Sequence, residues 1–112
     1  MAGSMNDSNR TYDNDQSMTA DVCTDDGVNG AITVGTTAVE AKVGASVLLS
    51  RKYVIISPIA DKVYFGFSNL VTTSTGIPLY RDQLIALPIG DGVSIWLIAE
   101  SSNKEVRIGE IS

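Results

Sequence analysis

At 112 residues the chain has room for one domain, and a core that small makes oligomerisation a natural supplement to stability. It contains no histidine and a single cysteine, Cys23, which excludes an intramolecular disulfide and leaves neither a zinc site nor a cysteine–histidine nucleophile to be built. The formal charge of −5 resides in residues 1–28, where six aspartates oppose Arg10, while residues 29–112 carry seven acidic and seven basic side chains. Neither part clusters Lys and Arg as phosphate binding requires, so no direct nucleic-acid partner is expected.

Residues 1–28 are rich in Asn, Asp, Ser, Thr and Gly, with apolar residues at no helical or strand period. Such a segment cannot bury enough surface to offset its ordering entropy, and it reads as a flexible acidic arm that orders only against a neighbour, or has no role. No basic region followed by an apolar run opens the chain, so no signal peptide is expected. The longest apolar runs, such as 95–99, fall far short of the roughly 20 residues of a membrane-spanning helix, and no membrane partner is expected.

From residue 29 onward the chain reads as one all-β domain. Short β-prone runs at 31–34, 37–43, 47–49, 52–57, 62–67, 77–79, 83–87, 93–99 and 105–111 are punctuated by Gly35, Gly44, Pro58, Asn69, Gly76, Pro88 and the Asp91-Gly92 turn. The runs lie too close together for crossover helices, which excludes a parallel α/β fold and points to a small antiparallel β-sandwich or barrel. A jelly-roll-like or an immunoglobulin-like sandwich gives the same string of strands.

Alternation assigns faces. Val39, Ala41 and Val43 oppose Ala38, Glu40 and Lys42, and Val63, Phe65 and Phe67 are expected to face a core with Tyr64 and Gly66 behind them. A strand glycine such as Gly66 marks a bulge or a close approach by another backbone. In GDGVSIWLIA, residues 90–99, the inward set is Val93, Ile95, Leu97 and Ala99, which turns Trp96 and Ile98 outward. The runs 54–56 and 84–87 are likewise apolar in both parities, so three strands carry more hydrophobic side chain than one core face can use. Either the chain caps this surplus itself, by its tail, a long turn or a bulge, or Trp96, Ile98 and Tyr64 form an oligomer interface, the reading preferred here. Carbohydrate stacking on Trp96 and Tyr64 is a weaker third reading.

Chemistry is sparse. The carboxylates Glu40, Asp61, Asp82, Asp91, Glu100, Glu105 and Glu110 mostly fall in turns or alternate outward, where solvated charge is the default, so no acid–base pair is read from them. Asp21, Asp25 and Asp26 lack the ligand spacing of a calcium loop. Gly90-Asp91-Gly92 and the Thr-rich 72–76 lead into no helix and are turns rather than phosphate cradles. No catalytic residue, metal or cofactor is expected.

The stretches AITVGTTAVE at 31–40, RKYV at 51–54, VTTSTGIP at 71–78 and QLIA at 83–86 resemble small β-rich virion structural proteins of tailed bacteriophages, over roughly residues 31–110. The resemblance implies a non-enzymatic component of a phage particle, with a capsid decoration or cement protein on the outer surface of the head as the leading expectation. A collar, head–tail or tail-fibre attachment protein, or a host-surface carbohydrate-binding module, are the alternatives. A homo-oligomer, a trimer by preference, is expected to pack through Trp96, Ile98 and Tyr64. The arm residues Asp21, Val22, Thr24, Asp25 and Val28 are expected to contact the major capsid protein or another virion protein.

Overall fold

The computed structural model describes residues 22–112. They form eight strands: β1 (Gly27–Val34), β2 (Val39–Glu40), β3 (Tyr53–Pro58), β4 (Val63–Gly66), β5 (Ile77–Leu79), β6 (Ile85–Leu87), β7 (Trp96–Ile98) and β8 (Lys104–Ile111). Two four-stranded antiparallel sheets result, in the orders β1-β8-β3-β6 and β2-β7-β4-β5, and they pack face to face as a β-sandwich.

The pairing is nested. The first strand pairs with the last, the second with the seventh, the third with the sixth and the fourth with the fifth, as if one long hairpin had been folded over. Two further ladders, β3 with β8 and β4 with β7, lock the folded hairpin into sheets. The chain thus crosses from one sheet to the other after β1, β2, β3, β5, β6 and β7.

Strand formation follows the β-branched alternation. In β3 every second residue is buried, and Val54 and Ile56 meet Val106 and Ile108 of β8 in the core. The opposing sheet contributes Val63 and Phe65 from β4, Leu79 from β5 and Leu97 from β7, with Ala41, Ile95 and Ala99 flanking the short strands. The inward parity expected of Ile95, Leu97 and Ala99 matches their burial.

Several expectations are corrected. Residues 47–49 are not a strand: Leu48 turns its amide to Glu110, and Ser50 takes the left-handed conformation with φ 59°. Val93 is exposed because the strand begins only at Trp96, and Phe67 is exposed because β4 ends at Gly66. The fold begins earlier than residue 29. The amides of Asp25 and Asp26 donate to the Ser112 carbonyl (3.0 and 3.4 Å), and Ser112 N donates back to Asp26 O (2.8 Å), so these arm residues close the end of the β1–β8 ladder.

The sandwich has two unlike ends. One gathers residues 22–26, Ser112 and the loops 41–52, 67–76 and 88–95; it is the terminal end. The other gathers the loops 35–38, 59–62, 80–84 and 99–103.

Candidate functional site

Three surfaces are candidates for contact with another molecule, and the outer face of the β2-β7-β4-β5 sheet was the expected one. There the register sets Ile98 against Tyr64, Tyr64 against Pro78, and Trp96 between Glu40 and Gly66. Trp96, Ile98 and Tyr64 therefore share one face, as alternation requires. They are not equally available: Trp96 and Ile98 are half-buried, whereas Tyr64 is only 8 % exposed.

Gly76, at the end of the loop 67–76, packs against Tyr64 at its Cβ. A Cβ on Gly76 would lie 2.7 Å from Tyr64 Cβ and 2.9 Å from Thr72 O, and one on Gly66 would lie 2.7 Å from Val71 Cγ2. At Gly66 the close neighbour is the Val71 side chain and not another backbone. The Thr-rich segment is held by its own bonds: Gly76 N donates to Thr72 O (2.8 Å), and Thr72 Oγ1 and Thr75 Oγ1 lie 3.0 Å apart. Self-capping therefore accounts for Tyr64 and leaves Trp96 and Ile98 as the open part of this face. Gly76→Ala is expected to destabilise the chain by about 1–3 kcal/mol through overpacking against Tyr64, measured by urea unfolding. A loss within 0.3 kcal/mol or so would mean that the loop lifts away freely.

The rim of Tyr64 is polar. Its hydroxyl donates to Glu100 Oε2 at 3.4 Å, and Lys62 Nζ lies 5.2 Å from its ring centroid and 5.7 Å from that of Tyr80. Hydrogen bonding to Tyr64 is the main cause raising the Lys62 pKa, with the charge of Glu100 adding to it, so this lysine stays cationic throughout the neutral range.

A second apolar strip lies on the opposite side of the molecule. Gly109 pairs with both Asn29 and Ile55, and Ile55 pairs with Ala86, while Ile111 sits against Tyr53 one row away. The surplus on β3 and β6 therefore belongs to the outer face of the β1-β8-β3-β6 sheet. It does not merge with that of β7.

The third surface is the terminal end. Phe65, Gly66, Phe67, Leu70, Val71 and Ile77, among others, line an apolar groove of about 280 Å³ there, with the Phe65 and Phe67 rings edge to face at 6.3 Å. Sequence reasoning missed this surface because it took Phe67 for a core residue.

Of the expected arm contacts, Asp21 lies outside the described residues. Val22, Thr24 and Asp25 are exposed at the terminal end, with Val22 O accepting from Lys52 Nζ at 2.9 Å. Val28 lies in β1, half-buried and with the inward parity of Ile32 and Val34, so it belongs to the sandwich and not to the arm.

One carboxylate also breaks its expected pattern. Glu110 is fully buried, as is its partner Arg51, and their side chains meet at 3.0 Å. Its inward parity with Val106 and Ile108 was the available signal. Every charge of this pair is matched by a hydrogen bond inside the chain, which makes it a structural clamp. Among the described residues no three His, Cys, Asp or Glu side chains gather as a metal site. No protein-family model and no curated protein matches the chain.

Proposed function

We propose that the chain is a non-enzymatic virion structural protein, a decoration or cement protein on the outside of a phage head, which works by attachment. The observation that carries this reading is the amount of large apolar side chain left outside a core that is already complete. Leu49 and Leu70 are 80 % and 82 % exposed, and Trp96 and Ile98 remain open on a sheet face. Large apolar side chains left uncovered at two places on one small chain mark contact with other proteins. Bound to the assembled shell and not to its dissociated parts, such a protein stabilises the assembly by mass action.

The nested strand order supports a jelly-roll sandwich, which has eight strands in two sheets, over an immunoglobulin-like one, in which seven strands divide four and three. A neutral body suits close packing of identical copies, since no net charge opposes their approach. Trp96 and Ile98 provide the self-association face in this reading, with the more deeply buried Tyr64 beside Ile98 on the neighbouring strand.

Sedimentation equilibrium of the full chain, together with electron microscopy of the intact particle, tests the proposal. The expected results are a trimer, and density for the chain on the outside of the head. Trp96→Ala is expected to shift the trimer toward monomer while unfolding stays cooperative. A wild-type chain that remains monomeric at tens of micromolar overturns the self-association, and its absence from the particle overturns the virion role.

A further inference from the structure

The two ends of the sandwich differ in chemistry as well as in connectivity. Among the described residues eight large hydrophobic side chains stand exposed, and six of them, Val22, Leu49, Phe67, Leu70, Ile77 and Val93, lie at the terminal end. Only Tyr80 and Leu84 lie at the other.

The three loops of that end carry little unpaired charge. Loop 67–76 has no ionisable side chain, and loop 88–95 has only Asp91, whose Oδ2 accepts from Ser50 N at 2.9 Å. In loop 41–52, Lys42 pairs with Glu40, Arg51 is buried against Glu110, and Lys52 holds the Val22 carbonyl. The far end displays Lys62 and Glu100 together with the exposed ion pairs Asp61–Lys104 and Arg81–Asp82. The exposed apolar side chains are thus sorted to one end, where the free charges outside the three loops are the exposed carboxylates of Asp25 and Asp26.

The terminal end is also where the acidic arm joins the body. Val22 is tied there by Lys52, and residues 1–28 carry a net charge of −5. Two terminal ends brought together would juxtapose two such arms, so like-charge repulsion disfavours a second copy as the occupant. An apolar patch flanked by Asp25 and Asp26, from which a chain segment of net negative charge continues, is complementary to an apolar patch with cations around it.

We propose that the terminal end is the docking surface for a different protein, one whose contact patch has an apolar centre surrounded by Lys and Arg. Leu49, Phe67, Leu70, Ile77 and Val93 supply the apolar contact, and the acidic arm engages the surrounding cations. The inference rests on the attachment reading above and adds the orientation: terminal end down on the shell, charged end toward solvent. The buried Arg51–Glu110 clamp holds two of the three contact loops in place before binding, which lowers the entropy lost on docking.

The test is co-sedimentation of the purified full chain with phage particles assembled without it. Phe67→Ser with Leu70→Asp is expected to weaken binding by roughly tenfold or more, since central apolar contacts dominate such interfaces. Both side chains are already solvent-exposed, and circular dichroism should report an unchanged fold. Arg81→Glu at the far end should leave binding unchanged. Asp13→Asn with Asp15→Asn should weaken binding severalfold at low salt and flatten its salt dependence.

Unchanged binding of the Phe67/Leu70 variant, or an equal loss from Arg81→Glu, overturns this inference alone. So does an arm variant with undiminished salt dependence. A wild-type chain that does not bind the particles overturns the attachment reading and this inference with it.

Discussion

Glu110→Ala is expected to lower the unfolding free energy by about 3–5 kcal/mol, a large share of what a domain of this size possesses. The carboxylate has several partners at once. Its Oε1 accepts from Val43 N at 3.1 Å, and its Oε2 accepts from Leu48 N at 3.2 Å and from Arg51 Nη1 at 3.0 Å. Arg51 in turn donates from Nε to Ile89 O and from Nη2 to Gly90 O and Val93 O. Removing the carboxylate strands a buried guanidinium charge and leaves two amides without their acceptor, and both losses carry a desolvation cost.

Urea unfolding measures this loss, and a change below roughly 1 kcal/mol would mean that water enters and repairs the site. Removing both charges should be far milder. Arg51→Met with Glu110→Leu is expected to recover most of the stability, because the penalty comes from the unpaired ion more than from the loss of the pair. What the double variant should not recover is loop order. Val43 and Leu48 amides are expected to exchange faster in it than in the wild type, since their acceptor is the carboxylate itself.

The parity of the strands was legible in the sequence, and their neighbours were not. Alternation placed Ile95, Leu97 and Ala99 inward and Trp96 and Ile98 outward, because the period of two is a local property of extended backbone. It also pointed Glu110 inward beside Val106 and Ile108, but a charged residue suggests solvent unless its buried partner is known. That partner, Arg51, is 59 residues away. Surplus apolar residues on β3, β6 and β7 were visible as well. Their division between opposite faces depends on which sheet each strand joins, and that choice is set by long-range pairing. The terminal end escaped notice for a similar reason. Leu49, Phe67 and Val93 belong to β-prone runs but fall outside the paired strands, and a run of β-formers does not by itself say where pairing starts or stops.

Leu97→Ala is the second large expected effect, at about 2–5 kcal/mol, and it bears on the parity from which the candidate surface was built. Leu97 lies in the middle of β7, opposite Val39 on one side and Phe65 on the other, and it is fully buried. Its truncation removes apolar contact and leaves a cavity between sheets whose spacing is set by several ladders at once, so little collapse can refill it. Ile98→Ala on the same short strand removes a half-buried outer side chain, and its expected cost is about 1 kcal/mol. The pair should be compared by urea unfolding under conditions in which the chain is monomeric, with an unchanged denaturant slope confirming that stability alone has moved. If Ile98→Ala were the costlier substitution, the outer face of this sheet would be the packed one. Trp96 would then be a core residue of the single chain, unavailable to a neighbour.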